Sequence, residues 1–368
     1  MLRGVDKTFL SITVLLIVLG LFIFISASLG VLAKNESKFV GILVNQLVLG
    51  LGAGTILAAI VLRAPIVFWK KNAFFLLIGA VVLSLLVFIP GLGFEHAGAR
   101  RWVSLGPVSF QPAEFLKIAL VLYAAGWFSW VRGKVGTPAV SLLPVIGMIG
   151  LAGALLLPQP DTKSVVLIAV SVLAIAFVAG MKWKHIFVIA GIGIATVVVL
   201  ALMRPYVMDR IQTFLHPSND TQGASYQVIQ SQIAIGSGKL LGRGLGQSVQ
   251  KFSYLPEPQG DSVFAVVGEE FGFIGSTLLI VLYTGFVLRG YHIAGRTKDI
   301  FSKYLVVGII TLIGAQSFMN IASIIGVFPL TGVPLVFVSH GGTSLMLSIG
   351  MAAMVLKISK SMEKVKHV

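Results

Sequence analysis

The chain has 368 residues, 57% hydrophobic and 11% charged, with a mean hydropathy of +0.97. Soluble domains are about 45–50% apolar and about 25% charged, so too few charges are available here to wet a surface, which excludes a cytosolic enzyme, a secreted disulfide scaffold and a disordered chain. The absence of cysteine removes disulfides, thiolate metal sites and a Cys nucleophile, while 28 Lys and Arg against 13 Asp and Glu give a net charge of +15.

Crossing a bilayer core of about 30 Å takes about 20 mostly apolar residues. Ten stretches qualify: Phe9–Leu29, Phe39–Leu62, Ala73–Ile89, Pro112–Val131, Leu142–Leu157, Lys163–Gly180, His185–Met203, Ser262–Leu288, Tyr304–Ile325 and Thr343–Leu356. No small-residue cleavage site follows the first, so it reads as a retained helix and not as a signal peptide. The expected fold is an all-α polytopic membrane protein, one domain over residues 1–368.

Placing the N-terminus in the cytoplasm puts most of the cations, among them Arg63, Lys70, Lys71, Arg132, Lys134, Lys182, Lys184, Arg289 and Arg296, in inner loops, as the positive-inside rule requires. Both termini are then cytoplasmic. The basic excess is dispersed over short loops and does not form a nucleic-acid surface. The acids segregate the other way. Only Asp6, Asp299 and Glu363 fall inside, whereas Glu95, Glu114, Asp161, Glu257, Asp261, Glu269 and Glu270 lie outside or near the outer face. Chemistry is expected on that face.

The segment from Arg100 to Lys117 opens the fourth stretch. Glu114 and Lys117 are an i,i+3 pair: either they only neutralise each other, or Lys117 pairs with a carboxylate on another helix and keeps it ionised. Arg100 and Arg101 stand just outside, as bilayer anchors or as a phosphate clamp. One long loop, Arg204 to Asp261, joins the seventh and eighth stretches; long loops are functional or disordered. Within it Tyr226–Gly236 has a helical pattern, and Gly236–Gly246 lacks the strand and the Gly-Lys-Ser/Thr ending of a phosphate loop.

Asp261 stands where the long loop enters the eighth stretch. A helix N-cap and a base that takes a hydroxyl proton both suit it there. Glu269 and Glu270 lie two turns further in, where intramembrane acids face a bundle interior. Gly326–Ser344 carries two prolines and four glycines among apolar residues, the pattern of a re-entrant loop shielded by protein. Its Gly341-Gly342 before Thr343 and Ser344 offers backbone N–H groups to a phosphate, or simply caps a helix. The six histidines show no ligand spacing, so no transition-metal site is expected.

Together, Ser26-Ala-Ser28, Arg101-Trp…Gln111-Pro-Ala-Glu114, Gln159-Pro-Asp161, Gly242-Arg-Gly-Leu-Gly246, Tyr254-Leu-Pro-Glu257, Pro329-Leu-Thr-Gly-Val-Pro334 and Ser339-His-Gly-Gly342 resemble the FtsW/RodA (SEDS) family of bacterial cell-wall polymerases. The likeness covers nearly the whole chain, and the division-type FtsW branch looks closer than the elongation-type RodA branch. Two departures stand out. Gln259-Gly-Asp261 replaces the usual His-Thr-Asp, and His340 replaces a Tyr.

The resemblance implies ten helices, a large extracytoplasmic loop between helices seven and eight, lipid II as substrate, a class B penicillin-binding protein and other division proteins as partners, and residence in the bacterial cytoplasmic membrane among its lipids. It assigns Asp261 as the essential acid and sets Glu114 and Lys117 in a central cavity. The expected mechanism is inverting transfer: Asp261 deprotonates the acceptor 4-hydroxyl, Lys117 keeps Asp261 ionised, and Glu114 orients Lys117. Arg100, Arg101, Arg243, Lys251 or a divalent cation (Mg or Mn) neutralises the leaving pyrophosphate. Gln111, Glu257, Ser339, His340, Gly341, Gly342, Thr343 and Ser344 complete the expected substrate contacts. A lipid II flippase, an elongation-type polymerase and a scaffold that only activates a penicillin-binding protein are the competing expectations.

Overall fold

The computed structural model describes residues 4–96, 99–105, 108–203, 205–216 and 225–362. Its main helices are α1 (Lys7–Leu32), α2 (Glu36–Arg63), α3 (Ile66–Leu85), α4 (Pro112–Trp130), α5 (Pro138–Leu156), α6 (Thr162–Val178) and α7 (Trp183–Met203). The shorter α8 (Pro205–Leu215), α9 (Tyr226–Ser237) and α10 (Gln250–Ser253) come next, followed by α11 (Val263–Arg296), α12 (Ile300–Ile324) and α13 (Gly342–Ser359). Eight helices are long and apolar enough to cross a membrane, counting α1, α2, α3, α5, α7, α11, α12 and α13. Two more predicted stretches are helical without meeting both criteria: α6 has 17 residues, and α4 carries Glu114 and Lys117.

Local chemistry starts these helices where they start. Asp6, Asn35, Asp161 and Asp299 cap α1, α2, α6 and α12, each accepting a backbone N–H from the first turn. Pro112 and Pro138 occupy first-turn positions of α4 and α5, where the missing N–H costs nothing. Large apolar side chains cover the outside, Phe22, Phe75, Phe187 and Leu202 among them, as a lipid-facing surface requires. Of the most apolar windows, 78% of α12 and 83% of α13 is buried, against 11% of α7. The bundle is therefore built around α12 and α13, with α7 at its rim.

Three features depart from an all-helical reading. Between α3 and α4 the chain forms an antiparallel sheet of β1 (Gly93–His96), β2 (Ala99–Leu105) and β3 (Val108–Phe110), in sequence order. The β2 segment Arg-Arg-Trp-Val-Ser-Leu is too polar and too short to span a bilayer, so hairpin pairing satisfies its backbone. Helix α2 widens to a π-turn over Asn45–Gly52. Helix α11 breaks at Gly272, where φ is 65°. There the carbonyls of Glu269 and Glu270 accept from Arg243 and Gly244, and the amides of Phe273 and Ile274 donate to Lys239 and Leu240. The long loop thus supplies the bonds that the broken helix gives up. Of that loop, Arg204 and residues 217–224 lie outside the described residues, as do Glu363 and the rest of the C-terminal tail.

At the opposite end of the bundle, Arg289 of α11 grips Asp6 through Nε (3.0 Å) and Nη2 (2.6 Å), and the Asp6 amide donates to Ser359 of α13. Burial alone raises the Asp6 carboxyl, but the bonds from Arg289 and the Phe9 amide hold it below its ordinary value. A carboxyl so depressed adds stability that is complete above its unfolded pKa and lost as pH falls through the folded one. The thermal stability gap between the parent and Asp6→Asn, measured in detergent, is expected to stay constant from about pH 7 to about pH 5. It should close only below about pH 4. A gap narrowing above about pH 5 would contradict this reading.

Candidate active site

Asp261 lies one residue ahead of Ser262, the N-cap position of α11, and no side chain caps that helix. Its carboxylate therefore does not serve as the N-cap that the sequence allowed. Asp261 is half-buried; its backbone carbonyl accepts from Asn320 Nδ2 at 2.8 Å, and its Oδ2 lies against Gly332. A Cβ on Gly332, whose φ is +64°, would stand 2.9 Å from that oxygen. Glycine is required at 332 both for this backbone conformation and for room beside the carboxylate.

The loop over Asp261 is the predicted re-entrant segment. Its carbonyls are taken one after another by side chains: Thr331 by Arg210, Gly332 by Lys163, Val333 by Asn320 and Pro334 by Gln316. Irregular backbone inside a membrane protein is stable only when satisfied in this way. Ser339 Oγ ties the two loops together, donating to the Gly260 carbonyl (2.7 Å) and accepting from the Leu335 amide (2.8 Å). The His340 amide donates to the Gln259 carbonyl at 2.7 Å, so the two departures from the family pattern touch each other. The His340 ring stacks on Phe24 of α1, centroids 6.1 Å apart.

Buried polar atoms without a protein partner gather in and beside these segments: Gln259 Oε1, Asn320 Oδ1, Thr331 Oγ1, His340 Nε2 and Thr343 Oγ1. Native interiors leave few such groups. Three in the loops by Asp261 (Gln259, Thr331 and His340) and two on the flanking helices α12 and α13 (Asn320 and Thr343) suit polar groups of a ligand or of water.

Several expected contacts have other occupations. Lys117 pairs with Glu114 (2.8 Å) and donates to Gln316 (2.9 Å), so it reaches the re-entrant loop through Gln316 and forms no ion pair with Asp261. Gly341 and Gly342 donate their amides to Gln46 and Asn45 in the π-turn of α2, leaving neither for a phosphate. A π-turn at such a point is characteristic of functional sites. Ser344 is half-buried one turn further on. Arg101 spends Nε and Nη2 on the carbonyls of Gln159 and Pro160. Gln111 donates to Asp161, the cap of α6. Arg100 stands exposed on β2 and has a partner of its own. Glu257 accepts from Gln259 Nε2 at 3.0 Å.

Lys251 is 1% exposed and bound to Glu270 at 2.6 Å, with Ser26 of α1 completing the group. Glu269 takes Ser248 Oγ and the amides of Val249 and Gln250, with Arg243 Nε 3.6 Å away. These two intramembrane acids fasten the long loop to α11 and α1. Sequence reasoning missed Lys163, Gln316 and Asn320. Polar residues recurring at i and i+4 inside the apolar α12 were the available signal for the last two.

Against known families, the model FTSW_RODA_SPOVE, described as "Cell cycle protein", matches residues 6–364. Stage V sporulation protein E of Bacillus subtilis is 35% identical over 96% of this chain and 97% of its own. A protein of Trichlorobacter lovleyi named "Probable peptidoglycan glycosyltransferase FtsW" is 34% identical over 97% and 94%. Among solved structures, a chain from work on "polymerization and crosslinking by a peptidoglycan synthase complex" superimposes with a TM-score of 0.78 at 25% identity, covering 98% of this chain and 99% of that one. The rod shape determining protein RodA of Thermus thermophilus shares the fold, with a TM-score of 0.71 at 24% identity over 98% and 99%. From the segment order first read in the sequence to the match along nearly its whole length, the chain belongs to the FtsW/RodA/SpoVE family of multi-pass membrane proteins.

Proposed function

We propose that this peptidoglycan glycosyltransferase polymerises glycan strands from lipid II by inverting transfer, with Asp261 as the base. The acceptor 4-hydroxyl loses its proton to Asp261 and attacks the anomeric carbon of the donor, and undecaprenyl pyrophosphate leaves from the opposite face. The observation that carries this reading is the Asp261 carboxylate, half-buried and accepting no hydrogen bond from the described residues, among orphaned polar atoms suited to a sugar. Gln259 and His340 are then sugar contacts, and Lys117 with Glu114 is a positioning pair acting through Gln316 and the Pro334 carbonyl.

An apolar cavity of about 590 Å³ runs between α2, α3, α4 and α13, lined by Leu57, Trp69, Leu83, Phe115, Ile118 and Met351. Its size and lining suit a polyprenyl tail. With α4 and α6 counted, the chain reads as ten spans with both termini on one side; the cations of the short loops assign that side to the cytoplasm and Asp261 to the extracytoplasmic side, opposite the Asp6–Arg289 pair. Relatives named FtsW at 34% identity support work in division, and the likeness to a chain of a polymerising and crosslinking complex supports a class B penicillin-binding protein as partner. A resident Mg or Mn ion finds no cluster of three candidate ligands among the described residues.

Incubating the purified chain with fluorescent lipid II and separating the products on a gel tests the assignment. A ladder of glycan strands is expected. Passage of lipid II across liposomes with no ladder would instead make the chain a transporter.

A further inference from the structure

The leaving pyrophosphate needs a cation, and the expected donors are engaged elsewhere. Lys117 and Lys251 are neutralised by Glu114 and Glu270, Arg101 holds two carbonyls, and Arg243 lies by Glu269 at the Gly272 break. Two cations among the described residues reach the loop beside Asp261: Arg210, on the Thr331 carbonyl, and Lys163, which comes nearer the carboxylate. Lys163 projects from the first turn of α6 and is half-buried. Its Nζ and Asp261 Oδ2 converge on a single point, the position of a Cβ at Gly332, from 3.7 and 2.9 Å. The two form no ion pair, and Lys163 donates to the Gly332 carbonyl, a neutral partner that leaves its charge uncompensated and two N–H groups unused among the described residues.

The turn carrying Lys163 is rigidly set. Asp161 caps α6, holding the Ser164 hydroxyl at 2.8 Å, and the Arg101 guanidinium clamps the two preceding carbonyls. Arg101 and Gln111, expected to touch substrate, thereby position the lysine.

We propose that Lys163 is a catalytic residue that receives the diphosphate leaving group, an assignment that rests on Asp261 being the base. A carboxylate and an ammonium that approach the same side of Gly332 without pairing suit the two ends of one displacement, the acceptor hydroxyl at the carboxylate and the leaving oxygen at the ammonium. As the bond from the acceptor oxygen to the anomeric carbon forms, the bond from that carbon to the phosphate oxygen breaks. The acceptor proton goes to Asp261, the bonding pair goes to the diphosphate, and Lys163 stabilises the charge that develops there.

Three variants of the full chain, assayed on lipid II in the detergent in which each elutes as a single species, separate charge from scaffolding. K163M is expected to lower kcat about 10²-fold. K163Q, which can still bond the Gly332 carbonyl, should be as slow, and K163R should recover to within about tenfold of the parent. In an Asp261→Asn background, the inorganic pyrophosphate needed to displace fluorescent lipid II should rise about tenfold on adding K163Q. Recovery by K163Q, parental rates in K163M or unchanged displacement by pyrophosphate would each overturn the assignment. Polymerisation by Asp261→Asn alone would instead overturn the base, whatever the lysine variants do.

Discussion

Asp261→Asn is expected to slow glycan synthesis by about 10³-fold, within the range for loss of a general base, while lipid II binding changes only a few-fold. The substitution keeps the shape and removes the proton acceptor. Folding has little reason to suffer, because Asp261 bonds its surroundings through its backbone carbonyl, to Asn320, and its carboxylate makes no hydrogen bond among the described residues. The loss should therefore fall on kcat and leave KM nearly unmoved. Single-turnover gels alongside a binding titration separate the two. A variant that binds and polymerises like the parent would remove Asp261 from the chemistry.

Lys251→Ala should be the most destabilising single change at the outer end, by about 3–5 kcal/mol, because it strands the buried Glu270 carboxylate. Both side chains are essentially inaccessible, 0% and 1% exposed, and Glu270 sits one turn-end before the Gly272 break where the long loop is stitched to α11. Loss of the ammonium should loosen that stitching and lower the melting temperature in detergent. Removing both charges with Lys251→Met and Glu270→Met should recover most of it, since an apolar pair of similar volume replaces a buried ion pair at little cost. Equal melting temperatures for Lys251→Ala and the parent would show that the pair contributes nothing to holding the loop.

Helix positions were legible because bilayer thickness writes directly into apolar run lengths: all ten predicted stretches fall on helices. Their ends were less so. Helix α3 begins at Ile66, before Lys70 and Lys71, because long cationic stems lie along a helix while their heads reach water. The place of Asp261 at the mouth of α11 was legible because a carboxylate entering an apolar helix is rare; its role as a base over a cap was implied only by the family resemblance. The surroundings of Asp261 were not legible, since Lys163, Gln316 and Asn320 reach the re-entrant loop from separate helices and share no local pattern. Lys251 shows the limit most sharply. A lysine in a loop reads as a solvent-facing phosphate ligand until its neighbours, Glu270 and Ser26, are brought from 19 and 225 residues away.

The anomeric configuration of the new linkage, read from the first disaccharide joined by the purified chain, tests the central claim most directly. Attack by a hydroxyl that Asp261 has deprotonated, with the diphosphate leaving from the opposite face, predicts inversion relative to the donor. Retention would require a covalent glycosyl-enzyme intermediate and would contradict Asp261 as the base.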